Sequence, residues 1–449
     1  MTDKTYDPVH SPKNISRAFL VCWISLFAAG FAMMLKLSSA ATLKAVFFDS
    51  TSPLTSAALI GGILGITYLG FTVCNTVLPP FIDALKIKRV LFAGLVIFNA
   101  GLIIMIMAIP GSAQAYDTLW LGALLHGIGW GCIESVVNPV VPSLYPDDKA
   151  GKLNRLHTSW PLGWMLAGLL AVTLESASFD WRYLFALSLL PACFALVMLL
   201  FVQFPPTERV SNGVSFMGMC KELFVKPGIF VLIGIMFFAL ACETVPQNWL
   251  DIVVGQISGI KGTWLLIYVA VAYLFARCLA EFALKHVHAV TILLFACLAI
   301  FVAVLGLALA SNPFVTMAAT ALLGAGAALL WPNMLAMVSE RYPNTGSLGI
   351  GLMCAAGMAS GYVVVPWMGE LYDGFKVAAA GGSEAFQVLA AESPEWLQAN
   401  AYAATRSFEL FSILPLALAA YFMIDYLFKV RRKRQAKSLD SSFKLRYVK

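Results

Sequence analysis

The sequence predicts an all-α membrane protein of about twelve transmembrane helices in two pseudo-symmetric six-helix bundles. Three observations point there. Of 449 residues, 60% are hydrophobic and only 12% charged, roughly half the charged share of a soluble domain, about 25%. The apolar residues fall in runs near the length at which a helix crosses a bilayer. A stretch in one half of the chain also has an echo in the other.

The apolar runs lie at 18–40, 55–79, 89–109, 118–141, 155–175, 182–203, 228–252, 263–283, 289–310, 314–338, 347–370 and 406–428. They read as helices because an open sheet cannot satisfy its backbone in lipid. Ten spans plus re-entrant segments is the lesser alternative. The first run follows the polar start "MTDKTYDPVHSPKNISR" and has no convincing cleavage site, so it reads as a retained span. The expected organisation is an N-terminal bundle over 1–203, a linker over 204–227, a C-terminal bundle over 228–428 and a basic tail over 429–449. The polar, basic stretch "PPTERVSNGVSFMGMCKELFVKPG" is the linker. The outer loop before the last span is expected to hold a short helix near Ser383–Leu389 or Pro394–Ala403.

Charge sets the orientation. With both termini in the cytoplasm, the inner segments carry 23 of the 30 Lys and Arg, nine of them in the tail from Lys429. The outer segments carry Lys44, Arg182, Lys261, Lys376 and Arg406, and Lys36 and Arg277 lie within spans. This is the positive-inside pattern. The net charge of +6 therefore reads as a topology signal and not as nucleic-acid binding. Lipid headgroup binding by the tail is a secondary reading. The expected location is the plasma (inner) membrane. The nine cysteines form no C-x-x-C pair and no metal-spaced cluster with histidine. They read as small buried hydrophobes without a disulfide framework.

The repeat joins "GIGWGCIESVVNPVVPSLYP" at Gly127 to "GAGAALLWPNMLAMVSERYP" at Gly324, an offset of 197. Gly127, Gly129, Tyr145 and Pro146 meet Gly324, Gly326, Tyr342 and Pro343. More weakly, "DALKIKR" at Asp83 meets "EFALKHV" at Glu281. Paired halves around a mid-membrane site are how many secondary transporters are built.

With these motifs in view, the chain resembles the major facilitator superfamily over nearly its whole length. "PPFIDALKIKR" resembles that superfamily's loop motif after span two, keeping Asp83 and the basic pair Lys88 and Arg89 but not the glycines. "DWRYLF" at Asp180 resembles the usual start of span six. More narrowly, "ESVVNPVV" at Glu134, "NRLHTSWPLG" at Asn154 and "GFAMML" at Gly30 resemble the fucose permease branch of proton-coupled sugar symporters. The resemblance implies a proton-coupling role for Glu134. That branch also places an aspartate soon after "GFA", where this chain has Lys36 and Leu37. The departure weakens simple inheritance of sugar/proton coupling.

The buried polar residues supply the candidate site. An ionisable residue inside a span is costly and calls for a function or a partner. Glu134 and Asn138 are four apart and share a helix face. Counting from Leu119, Glu134 lies roughly 22 Å along its helix, past the midplane. A protonatable carboxyl there can trade its proton for a hydrogen bond to a solute. The plainer reading is an ion pair that fixes packing. Lys36 is expected to pair with Glu134 or Glu243, to bind an anionic solute group, or to snorkel outward. In span seven, Glu243 and Gln247 share a face, and Pro246 is expected to interrupt the helix. Trp249 reads first as an outer-belt aromatic and second as a stacking platform for a sugar. Arg277 reads as structural or gating, paired with Glu281 or locking the cytoplasmic ends. Asp83 and Arg89 join it as gating or structural residues. Trp331, the repeat partner of Glu134, and Asn333 are expected substrate contacts. His157 reads as a packing histidine, with proton relay as its alternative. The glycine-rich span eleven suits helices that rock.

No nucleotide loop, nucleophile elbow or HExxH motif is found, so an enzyme is not expected. The function expected is secondary transport of a small polar solute, a sugar or sugar-like compound, by alternating access. The coupling ion is a proton, with sodium as alternative, and no other cofactor is expected. Expected partners are the solute and the lipid bilayer, with no nucleic acid and a monomeric state. The alternatives are an organic-anion (sugar-acid) carrier or a non-transporting solute sensor.

Overall fold

In the computed structural model the described residues run from 11 to 428, apart from 146–151, 153–154, 178, 207–214, 251–259, 261, 284–286, 288, 311 and 343–344. The side chains of Asp83 and Glu281, the basic tail, and Arg209 and Lys261 lie outside the described residues. Twelve long helices follow one another: α1 (Pro12–Ser38), α2 (Ser56–Val77), α3 (Ile87–Ile106), α4 (Ala115–Leu144), α5 (Ser159–Ser176), α6 (Trp181–Leu199), α7 (Gly228–Trp249), α8 (Gly262–Ala283), α9 (Ala289–Ala308), α10 (Pro313–Arg341), α11 (Gly346–Ala379) and α12 (Pro394–Phe411, continued over 413–428). Among the described residues, eleven helices are long and apolar enough to cross a membrane; α5 is the one of the twelve that falls short. Its start carries Trp160 and Pro161 and then Trp164, which lower its mean hydropathy. Large apolar side chains such as Leu190, Phe194, Phe275 and Phe295 stand on the outside, as a bilayer requires.

The helix starts follow from local chemistry. Ser11, Asp180, Asn312 and Ser393 each accept a backbone N–H of the first turn. Pro12, Pro313 and Pro394 occupy first-turn positions where no donor is lost. Several expected bounds change. The eleventh helix runs on to Ala379, and the expected short helix at Pro394 is the start of α12. The other expected short helix is present at Ser383–Gln387. Pro246 does not break α7, which is helical through Trp249. Thr244 Oγ1 donates to the Leu240 carbonyl (2.8 Å) and Asn248 Nδ2 to that of Thr244 (2.7 Å), so side chains on either side of the proline bond back onto the helix.

The packing repeats. In the first half α1 packs on α5, α2 on α4, and α3 on both α4 and α6. In the second half α7 packs on α11, α8 on α10, and α9 on both α10 and α12. The contacts between halves obey the same rule, α2 with α11 and α8 with α5. The echoed residues do equivalent work. A Cβ on Gly127 would stand 1.9 Å from the Thr67 carbonyl of α2, and one on Gly129 2.3 Å from Phe98 N of α3. A Cβ on Gly324 would stand 2.7 Å from the Val269 carbonyl of α8, and one on Gly326 2.8 Å from Ile300 of α9. Tyr145 N closes α4 onto the Val141 carbonyl (3.2 Å), and Tyr342 N closes α10 onto that of Val338 (2.8 Å). Tyr145 then packs edge-on against Phe19 of α1, and the Tyr342 hydroxyl lies over Gly228 of α7.

Candidate functional site

Where the halves meet, the polar residues of the spans join into one chain. Asn138 Nδ2 donates to Glu134 Oε2 (2.7 Å), as their spacing on α4 predicts. That fixes the amide so that Oδ1 faces His157 Nε2, two residues before α5, at 3.1 Å. Arg277 of α8 crosses from the other half, its Nη1 donating to the His157 carbonyl (3.3 Å). Its Nη2 donates to the Tyr273 hydroxyl (3.0 Å), which donates to Glu243 Oε1 of α7 (3.1 Å). The chain therefore runs from Glu134 in one half to Glu243 in the other, and Arg277 lies within electrostatic reach of both carboxyls.

A cleft opens beside this chain, lined chiefly by Trp160, Trp164, Glu243, Gln247 and Tyr273. Trp160 stacks on Trp130, with ring centroids 5.1 Å apart and planes at 23°, and Trp164 continues the row at 6.2 Å. Glycines set this row in place: a Cβ on Gly30 of α1 would stand 2.8 Å from the Trp160 carbonyl, so α1 and α5 approach closely there. Among the residues that line it, Glu243 Oε2 and Trp164 Nε1 are buried and have no hydrogen-bond partner. Buried polar atoms are almost always paired, so this group is poised for a guest or for water. As it stands the cleft is little wider than a water molecule. On the side of the cleft away from α5 and α8, α2 and α11 touch along their length, from Ala57 against Gly369 to Asn75 against Gly351.

Of the expected site residues, Glu134, Asn138, Glu243 and Gln247 come to this centre. Arg277 comes there too: it bonds to Tyr273 on its own helix and reaches His157 across the halves, while the side chain of Glu281, its expected partner, lies outside the described residues. His157, expected first to be a packing residue, is a link in the polar chain. Lys36 corrects two expectations. It is fully buried, so it does not snorkel, and its Nζ donates to Thr67 Oγ1 (2.7 Å) and not to either glutamate. Trp249 is no belt aromatic either: it is 0% exposed, stacks on Tyr372 and donates Nε1 to the Val365 carbonyl (3.3 Å). Trp331 is half-buried against the core, and Asn333 turns back to the Leu329 carbonyl (2.7 Å); neither lines the cleft. Arg89 is exposed. Its neighbour Lys88 does the anchoring, donating to the Leu200 and Val202 carbonyls at 3.0 and 3.1 Å. Sequence reasoning passed over Tyr273 and Trp164. Their signal was available: Tyr273 stands four residues from Arg277, and Trp164 four residues from the tryptophan of "NRLHTSWPLG", Trp160.

Three comparisons bear on this arrangement. Among curated protein sequences none matches the chain. In fold the chain is similar to the crystal structure of a D-xylose–proton symporter, with a TM-score of 0.71 at 15% identity over 91% of this chain and 97% of the other. It is also similar to a bacterial homologue of the human lysosomal transporter Spinster (TM-score 0.69, 14% identity, 92% and 97% covered). The human organic anion transporter MFSD10 (TETRAN) gives a TM-score of 0.62 at 16% identity, with 91% and 100% covered. The sequence profile of the Major Facilitator Superfamily matches residues 18–369. Twelve long helices among the described residues, a packing pattern that repeats after six, and that match over most of the length make this chain a member of the major facilitator superfamily of membrane transporters.

Proposed function

We propose that the protein couples proton movement to the transport of a small polar solute, a sugar or sugar-like compound, by alternating access at the central cleft. The observation that carries this reading is the polar chain between Glu134 and Glu243 beside the tryptophan row. An indole face suits the C–H face of a sugar ring. The unpaired carboxylate oxygen and the Gln247 amide suit its hydroxyls. Arg277 beside Glu243 offsets that carboxylate, which favours a neutral guest over a cation. Glu134 sits at the far end of the chain, where taking up a proton would release Asn138 and, through His157, loosen the contact that Arg277 makes between the halves. The fold neighbours include a sugar–proton symporter, which agrees with the reading at the level of fold. The inward-facing tail and the plasma membrane location belong to the same proposal. The test is uptake of monosaccharides into proteoliposomes under an imposed pH gradient. Uphill accumulation of at least one sugar by wild type, lost in Glu134→Gln, is expected. Accumulation by Glu134→Gln equal to wild type would sink the coupling role.

A second reading rests on Lys36. Its ammonium is wholly buried with one neutral partner, the Thr67 hydroxyl, and His126 Nδ1 nearby is unpaired. A buried cation so placed suits an anionic guest such as a sugar acid. Competition by sugar acids that Lys36→Gln abolishes, with sugar uptake untouched, separates this reading from the first.

A further inference from the structure

The linker between the halves contains a helix of its own, Phe216–Val225, capped by Ser215 Oγ, which accepts the Gly218 N–H at 3.1 Å. It has two apolar faces. Cys220 and Leu223, three apart, pack inward against the core, and the helix touches α11. Met217, Lys221, Phe224 and Val225 recur at helical spacing and point away from the protein. Met217 and Phe224 are 72% and 77% exposed. A helix in water has no use for a second apolar face. This one is continuous with a membrane surface: the Phe224 ring lies 6.5 Å from that of Phe230, which with Val231 stands on the outer side of α7. Two lysines flank the patch. Lys221 is exposed on the same face, and Lys226 ends the helix, bridged to Glu222 at 2.6 Å.

We propose that the helix Phe216–Val225 is an interfacial anchor that lies along the bilayer surface, with Met217, Phe224 and Val225 in the headgroup–acyl boundary and Lys221 reaching the lipid phosphates. Amphipathic helices bury an apolar face to that depth while lysines extend their heads to the polar layer. The partner is the lipid bilayer itself, and the linker is thereby held on the membrane. The inference uses only the membrane placement of α7 and is independent of the solute.

The experiment places a nitroxide at Phe224→Cys, and separately at Met217→Cys. The full chain is used, with the solvent- or lipid-reachable thiols Cys193, Cys220 and Cys278 replaced by serine, in phosphatidylcholine–phosphatidylglycerol vesicles. Collision with oxygen, which concentrates among acyl chains, is compared with collision with a water-soluble nickel chelate. Oxygen access several-fold above chelate access is expected at both positions. Chelate access above oxygen access at both would overturn the proposal. Adding Lys221→Glu is expected to lower the oxygen-to-chelate ratio at position 224; an unchanged ratio would remove the lysine from it. A melting temperature equal to that of the wild type in the same vesicles checks that the bundle is folded in these variants.

Discussion

Tyr273 is a single hydroxyl with two duties, accepting from Arg277 and donating to Glu243. Tyr273→Phe keeps the ring and removes both bonds. Leaving a buried polar group unmet costs about 1–3 kcal/mol. Uptake is therefore expected to fall roughly 5- to 150-fold, at 1.4 kcal/mol per tenfold, while the melting temperature of the detergent-purified protein shifts by a few degrees at most. Wild-type uptake in Tyr273→Phe would remove this link from the account. Lys36 carries the opposite expectation for stability. A buried charge replaced by an apolar side chain of similar length often leaves a protein as stable or more so. Lys36→Met is expected to keep or raise the melting temperature, and a drop of ten degrees would mean that the ammonium is held by more than Thr67. The side chains that sequence reasoning placed correctly were those whose partner lies four residues away on one helix, as with Glu134 and Asn138. Lys36 and Trp249 found their partners on other helices, as did Arg277 in reaching the His157 carbonyl, and no local spacing encodes that.

Among the elements, the helices were legible because lipid imposes length and apolarity on each of them separately. Their ends were less so. α11 and α12 reach past the apolar runs through polar turns such as Tyr372–Lys376 and Pro394–Tyr402, which no hydropathy reading extends. The echo between α4 and α10 was legible as a pattern, and its physical content is close approach. Gly127 and Gly129 let α4 meet α2 and α3, and Gly324 and Gly326 let α10 meet α8 and α9. Clearances of 1.9 Å at Gly127 and 2.7 Å at Gly324 rank two substitutions. Gly127→Ala must push backbone against backbone and is expected to cost about 3 kcal/mol or more, at the upper end of overpacking effects. Gly324→Ala is expected to cost less. Thermal melts of the two variants check the order, and equal melting temperatures would contradict it.

For the whole molecule, the end away from the linker carries a contact that only tertiary structure reveals. Asp373 of α11 accepts the Ala58 N–H near the start of α2 (2.9 Å) and pairs with Lys376, whose Nζ also donates to the Pro53 carbonyl (3.1 Å). A carboxylate at a helix start is favoured by the helix dipole, so this cluster holds the two halves together. Asp373→Asn is expected to raise, several-fold, the labelling of Gln247→Cys by a membrane-impermeant thiol reagent applied outside. Unchanged labelling would mean the cluster does not restrain opening. Two bundles were readable from charge and repetition along the chain. The cleft was readable only as a list of candidates, because convergence of α4, α5, α7 and α8 depends on how the halves face each other. The central claim is that proton and solute meet there, with Glu134 exchanging the proton. The most direct measurement is proton entry into proteoliposomes, followed with an internal pH dye as a transported sugar is added, beside sugar counterflow at equal pH. Wild type is predicted to show sugar-dependent proton entry and counterflow, and Glu134→Gln to keep counterflow without proton entry; sugar-dependent proton entry persisting in Glu134→Gln would contradict the account.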